Sequence, residues 1–265
     1  MRMCSIASGS SGNCIYIGDE DTHILIDAGI SRKAIETGLK ELELSGNDLD
    51  GIFITHEHSD HVKGLGVMAR KYHIPMYGTK ETIEAVKAIS SLGNIGEELF
   101  HPVTAEEELQ LKTLTVKPFK VSHDGANPVA YRVESGEKKA AVATDLGIYN
   151  DYTIDHLKGL DVILLEANHD IRMLQTCRYP YSLKQRILGK YGHLCNEMSG
   201  RLLDAILSDK MKRVFLGHLS NENNYPDLAY ESVRVEVNMS QSEYKAEDFH
   251  ISVAKRDSIS DCFEF

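Results

Sequence analysis

No run of 18 apolar residues occurs in the 265-residue chain, so no segment reads as a membrane-spanning helix. Cysteine is sparse and unpatterned. The five residues (Cys4, Cys14, Cys177, Cys195, Cys262) are odd in number and contain no CxxC, which fits a reduced, cytoplasmic setting and not a disulfide framework. The opening MRMCSIASGSSGN is too short in its apolar part for a secretory signal. No Pro-, Ser- or charge-rich stretch divides the chain, so residues 1–265 are expected to form a single domain with room for a large core. Positive charge is also in deficit: 29 Lys and Arg stand against 40 Asp and Glu, for a net charge of −11. An acidic surface repels phosphates, which excludes broad nonspecific attraction to nucleic acid. One local exception stands out. Residues 171–191, IRMLQTCRYPYSLKQRILGKY, hold Arg172, Arg178, Lys184, Arg186 and Lys190 and no acid, interleaved with Tyr179, Tyr181 and Tyr191. That pattern suits a focused anion site with aromatic rings on which bases could stack, whereas a solvated helix face is the plainer alternative.

Short runs rich in Ile and Val recur along the chain: CSIA, CIYIG, HILIDAG, GIFIT, LTVKPFKVS, VAYRVE, KAAVAT, DVILLEA, RVFLG and FHISVAK. Their length and β-branched content predict strands. Helical periodicity appears at about 31–43, 63–72, 79–90, 181–191, 197–208 and 225–236. Early strands follow one another through turn signals such as SGSSGN and GDED, while later ones alternate with helices. The pattern is two strand-rich halves wrapped by helices and not a regular βαβ succession. A positional regularity accompanies it. Apolar strands run directly into Asp27, His56, His123, Asp145 and His218, five side chains suited to metal chemistry, each at a strand end. Loops at one edge of a sheet are exposed yet anchored, so active sites gather there.

The densest signal is THEHSDH at 55–61, which puts His56, Glu57, His58, Asp60 and His61 within six positions directly after a buried strand. Alternating histidines can grip one cation while Asp60 and His61 face a second, and Asp145 is suited to bridge them. The stretch His56-Glu57-His58-Ser59-Asp60-His61 resembles the HxHxDH hallmark of the metallo-β-lactamase superfamily. The resemblance runs from Asp27 to His218 and implies an α/β fold, the αββα four-layer sandwich, with two divalent metal ions at one edge. It assigns His56, His58 and His123 to one metal, Asp60, His61 and His218 to the other, and Asp145 to the bridge, with Asp27 orienting ligands from behind. Further stretches, SGSSGN (8–13), VSHDGANPVAYRVE (121–134), ATDLG (143–147), LEANHD (165–170) and GHLSNENN (217–224), are similar to the WalJ/YycJ-type branch, associated with 5′-to-3′ exonuclease activity on DNA. Cys195 departs from that branch, where Ser is usual. No large insertion follows Asp145, so the extra domain of the RNA-processing members is not expected.

Two nearly identical pentapeptides, GHLCN (192–196) and GHLSN (217–221), separate on context. His218 follows the strand RVFL and is expected at the metal edge. His193 follows the helical run SLKQRILGKY, with Gly192 as a helix stop and Asn196 as the next N-cap, and is expected to address the substrate phosphate as a catalytic donor alongside Asp60. A helix-turn histidine that only packs or caps is the alternative. Substrate contacts are expected from Ser10 and Asn13 of the glycine-permissive SGSSGN turn, from His169, from Arg178 and Arg186 of the basic island, and from Asn221. His23, His73, His101, His156 and His250 lack ligand-like company. The expected reaction is phosphodiester hydrolysis at a DNA end by metal-activated hydroxide attack, with Zn²⁺ or Mn²⁺ and also Fe²⁺ suited to the ligand types. A thioester or small-ester metallohydrolase is the competing enzyme reading, and a metal-dependent binding or sensing protein the non-enzyme one.

Overall fold

A computed structural model describes all residues 1–265. Two seven-stranded sheets lie face to face. The first half supplies β1 (Arg2–Ala7), β2 (Cys14–Gly18), β3 (His23–Ile26), β4 (Gly51–Phe53), β5 (Met76–Gly78) and β6 (Phe100–Pro102). The second supplies β7 (Leu109–Leu111), β8 (Leu114–Lys120), β9 (Val129–Ser135), β10 (Lys138–Ala143), β11 (Val162–Glu166), β12 (Arg213–Gly217) and β13 (His250–Val253). A final β14 (Phe263–Glu264) returns to the first sheet, giving strand orders β14-β1-β2-β3-β4-β5-β6 and β13-β12-β11-β10-β9-β8-β7.

Both sheets follow one plan. Each opens as an antiparallel meander (β1-β2-β3; β7-β8-β9-β10) and continues in parallel strands (β3-β4-β5-β6; β10-β11-β12-β13). Parallel neighbours need crossover connections, and helices provide most of them: α1 (Arg32–Glu41), α2 (Ser59–Val62), α3 (Leu65–Tyr72) and α4 (Lys80–Lys87) in the first half, then α5 (Asp151–Leu157), α6 (Ile171–Thr176), α7 (Tyr181–Leu188), α8 (Asn196–Ile206) and α9 (Pro226–Met239) in the second. Several helix starts are fixed locally. Ser31, Thr79, Asn150 and Asp170 accept the N–H three residues on, and Pro226 occupies a first-turn position where no donor is needed.

Side-chain alternation sorts the strands into layers. Met3, Ile15, Ile17, Ile24, Ile26 and Phe53 turn inward to meet Val116, Tyr131, Val142, Leu164 and Phe215 of the other sheet. The intervening residues Cys4, Tyr16, Leu25 and Ile52 face outward under Ile35, Leu39 and Met68 of the first helices. Ile163, Leu165 and Val214 do the same beneath Leu202, Leu203 and Val233 of α8 and α9. Apolar burial on both faces of both sheets is the dominant stabilising term, and it produces the αββα four-layer sandwich. The Tyr131 hydroxyl donates to the Ile54 carbonyl at 2.8 Å, and the Val129 N–H donates to the Thr55 carbonyl at 3.1 Å, tying one sheet to the other beside the site.

All ten predicted strands are present. Those unforeseen (β5, β6, β7 and β14) are two or three residues long, too short to display a period. Two local expectations need correction. The helix before His193 ends at Leu188 with Gly189 at its C-cap, so Gly192 lies beyond the stop. Asn196 is the first residue of α8, and Cys195 occupies the cap position without a side-chain bond; the Asn196 carboxamide is buried and paired with that of Asn224.

Candidate metal centre

Parallel strands point their C-terminal ends the same way, and open α/β sheets place their sites there. Just past the end of β3 stands Asp27; past β4, Thr55 and His56; past β8, His123; past β10, Asp145; past β12, His218; and β11 ends on Glu166. Asp27, Asp145 and His218 carry positive φ angles of 63°, 60° and 56°. The left-handed region disfavours residues with a Cβ, so three such residues at three strand ends mark a backbone held against its preference. The THEHSDH loop is drawn inward by close packing: an added Cβ on Gly29 would lie 1.6 Å from the Asp60 carbonyl oxygen, so only glycine lets the 28–30 segment pass under it.

Ligand-type atoms converge in overlapping groups: His56, His58 and His123; His56, His61 and Asp145; Asp60, His61 and His218; and Asp145, Glu166, His193 and His218. Asp145 is central. Its Oδ2 lies 3.2 Å from His61 Nε2, and its Oδ1 lies 3.3 Å from His218 Nε2 and 3.5 Å from His123 Nε2. Asp27 receives Thr55 N–H and hydroxyl at 2.9 Å each and stands 2.7 Å from His61 Nδ1, which leaves His61 Nε2 facing Asp60 and Asp145. Burial holds His56 and His218 below their ordinary values and therefore neutral. For His61, burial pulls in the same direction, but the charges of Asp145, Asp60 and Asp27 outweigh it and raise the imidazole well above its usual range. Against the raising effect of burial, His61 and His218 hold Asp60 down to about 2. Buried carboxylates that pull a proton onto a buried imidazole form a field shaped for a cation. The buried His56 Nε2 and Asp145 Oδ2 have no hydrogen-bond partner. Unsatisfied imidazole nitrogen and carboxylate oxygen in one cluster are a donor set suited to divalent metal ions.

Glu166 went unnoticed as a site residue, although it obeys the same strand-end rule that singled out Asp145. It is fully buried; its Oε2 accepts Leu146 N–H (2.7 Å) and Leu194 N–H (3.2 Å), and its Oε1 lies 2.8 Å from His193 Nδ1. With both oxygens occupied it braces His193 and is not free to ligate. Burial alone would lower His193, but the Glu166 charge and hydrogen bond, with help from Asp145 and Asp60, raise it to about 9. His193 stacks on His218 at 5.3 Å between ring centroids, so the two GHLxN histidines meet although one follows a helix and the other a strand.

The expected substrate residues divide. Ser10 is exposed at the tip of its turn, and Asn221 is exposed as well. Asn13 is wholly buried and braces the turn: its Oδ1 accepts Gly9 N–H (3.1 Å), and its Nδ2 lies near the Gly9 and Asp60 carbonyls and 3.3 Å from His61 Nε2. His169 is also buried, its Nδ1 against Asn168 Oδ1 (3.2 Å), and burial lowers it to about 4, so it is uncharged near neutrality. In the basic island, Arg178 is exposed, but Arg186 grips both oxygens of Asp124, which itself lies 3.4 Å from His123 and 3.6 Å from His58. Lys184 donates to the Gln175 and Cys177 carbonyls at 2.7 Å each. The island is therefore less free than its charge count implied. Tyr181, 77% exposed, is its most available ring.

A sandwich of this layering with such a donor set at one edge defines a metallohydrolase class, and the comparisons agree. Residues 22–218 match the family model described as beta-lactamase superfamily domain, and the chain belongs to that superfamily. Within it, the chain is 41% identical over 228 residues to Exodeoxyribonuclease YycJ of Bacillus anthracis, covering 86% of each. It is 39% identical over 225 residues to Exodeoxyribonuclease WalJ of Streptococcus pneumoniae, covering 85% of this chain and 84% of that one. Among solved structures, the metallo-beta-lactamase fold protein YhfI from Bacillus subtilis superposes with a TM-score of 0.70 at 16% identity, covering 98% of both chains. The likeness to that structure concerns the fold alone. No helix is long and apolar enough to cross a membrane.

Proposed function

We propose that this chain is a metal-dependent exodeoxyribonuclease, a hydrolase that removes nucleotides from a DNA end, acting in the 5′-to-3′ direction in the cytoplasm as one domain of residues 1–265. The observation that carries the reading is the similarity to two exodeoxyribonucleases over 85–86% of this chain combined with a donor cluster at the strand ends. His56, His58 and His123 would hold one divalent ion, Asp60, His61 and His218 a second, with Asp145 between them; Zn²⁺ and Mn²⁺ suit the ligands best, and Fe²⁺ is also compatible. Bound cations would neutralise charge on the phosphate oxygens and lower the pKa of water at the site.

The remaining chemistry belongs to the chain. Asp27 and Thr55 fix the His61 ring, so that Nε2 faces the cluster. Glu166, 2.8 Å from His193 Nδ1, would hold a proton there and leave Nε2 available to the phosphate. A protonated imidazole there stabilises charge building on the phosphate and can pass its proton to the leaving 3′-oxygen. That leaving group is a strongly basic alkoxide, so proton delivery matters more for DNA than for an aryl ester. Exposed Arg178 and Tyr181 would guide the strand toward the edge. A panel of 5′-phosphorylated single- and double-stranded DNA, RNA, a thioester and bis(4-nitrophenyl) phosphate tests the proposal on protein of measured metal content. DNA is expected to be the preferred substrate. Preference for the thioester, or stoichiometric DNA binding without turnover, would overturn it.

A further inference from the structure

A cavity of ≈ 580 Å³ opens between α1, β1 and residues 256–259, outside the metal cluster, none of whose residues line it. Its lining includes Ser11, Lys33, Lys63 and Arg256, with the acids Glu41 and Asp257 also present. The connection to the site runs through the backbone. Two residues past Ser11, the Asn13 N–H donates to the Asp60 carbonyl (2.8 Å); next to Lys63, Gly64 N–H donates to the Ala28 carbonyl (2.7 Å), and Ala28 N–H in turn donates to the His61 carbonyl (2.8 Å). Arg256 lies over Gly9, where an added Cβ would come within 2.6 Å of its guanidinium, and donates to the Leu219 carbonyl at 2.7 Å, one residue past His218. The cavity thus adjoins the Asp60, His61 and His218 side of the cluster. The basic island adjoins the other side, through Arg186 and Asp124 beside His58 and His123.

The charges here are uncommitted. Arg256 spends its donors on neutral oxygens, the Leu219 carbonyl and the Ser11 hydroxyl (3.4 Å), while Lys33 and Lys63 are exposed and make no ion pair. Three unpaired cations against the unpaired carboxylates of Glu41 and Asp257 leave the lining one charge positive (three minus two) in a chain of net charge −11, a local excess that favours an anion supplied from outside. The floor between them is apolar, from Ile6, Ile30 and Ile259, which suits the faces of a sugar and base more than a free inorganic ion.

Resting on the nuclease reading above, we infer that this cavity receives the phosphate-bearing end of the DNA strand whose scissile bond lies over the metal cluster, with Lys33, Lys63 and Arg256 as its phosphate contacts. Contacts dedicated to a terminal phosphate would favour exonucleolytic cleavage, because an internal position of a strand lacks the end they bind. The test is the exposed double variant Lys33→Glu/Lys63→Glu, assayed on a 5′-phosphorylated oligonucleotide and on bis(4-nitrophenyl) phosphate. KM for the oligonucleotide should rise about tenfold, and the slope of log KM against log salt should fall by about 1.4–2, as expected for two lost phosphate contacts. Hydrolysis of the small diester should be unchanged. An oligonucleotide KM equal to wild type, or equal losses on both substrates, would overturn the assignment while leaving the nuclease reading intact. Wild-type protein inert toward DNA but active on the small diester would overturn both.

A separate observation carries a second inference. Strand β14 pairs with β1 antiparallel, Arg2 opposite Glu264 and Met3 opposite Phe263, so the next step sets Cys4 opposite Cys262. Cys4 Sγ donates to the Ser260 carbonyl at 3.2 Å, and its contact with Cys262 raises its own thiol and lowers that of the exposed Cys262. Directly opposed antiparallel residues fall within the Cα separation that a disulfide requires. The geometry points to Cys4 and Cys262 as an oxidisable pair that would staple the C-terminal strand to β1. A diazene oxidant would accept the two electrons and two protons released as the S–S bond forms. After native diamide treatment, non-reducing peptide mapping should find a Cys4–Cys262 cross-link that Cys262→Ser abolishes and Cys177→Ser leaves intact. Absence of that cross-link, or an equal yield in urea-unfolded protein, would refute the pair.

Discussion

Glu166 makes no expected contact with substrate, yet it decides what His193 can do. In the metal-free chain Glu166 raises His193 to about 9, so the imidazolium persists through neutral pH and is lost as pH climbs through that value, and bound cations would draw that loss to lower pH. Glu166→Gln removes the charge but keeps the shape, so the alkaline limb of the pH–rate profile on DNA should move to lower pH. His193→Ala should lower kcat on DNA by about 10²–10⁴, the usual worth of a positioned acid, and much less on bis(4-nitrophenyl) phosphate, whose leaving group needs no proton. Equal losses on the two substrates would show that His193 serves only to bind. Asp60→Ala should reduce turnover to background while leaving the protein folded, with a fall in Tm no larger than chelation produces in the wild type.

At the scale of the element, the strand-end rule explains what could be seen in advance. Asp27, His56, His123, Asp145 and His218 were legible because each terminates an apolar run, and the run forces its last residue to the sheet edge. The burial of Asn13 was not legible because its turn looks exposed by composition; only the fold shows the loop curled back on Asp60. Arg186 looked free because its partner Asp124 lies 62 residues away in sequence. The basic island retains Arg178 as an exposed charge, so Arg178→Glu should raise KM for DNA severalfold with kcat unchanged. Arg186→Glu should lower kcat as well, since it releases Asp124 beside two histidines. Steady-state kinetics on one oligonucleotide separates the two. Between the sheets, Tyr131→Phe leaves the buried Ile54 carbonyl without its donor and should cost about 1–3 kcal/mol in urea unfolding.

For the whole molecule, the two sheets repeat one scheme, an antiparallel meander passing into parallel strands, and bring both sets of strand ends to a shared edge. Neither half carries a complete ligand set: Asp27 through His61 come from the first, His123 through His218 from the second. Metal ions would therefore act as a clasp between halves, binding the native state and not the unfolded chain. Chelation should abolish hydrolysis and lower Tm, and restoring a divalent ion should recover both. A Tm indifferent to chelator would contradict a site spanning the two sheets.

The left-handed backbone at Asp27, Asp145 and His218 has a bearing on how this protein can be altered. Each residue sits where glycine would rest more comfortably, yet against the raising effect of burial His218, His61, His56 and His123 hold the Asp145 carboxyl well below its ordinary range, so a neutral replacement there trades backbone ease for lost charge pairing in the metal-free chain. A laboratory selection for heat resistance alone would therefore gain little at Asp145, and stabilising changes should accumulate away from the proposed metal edge.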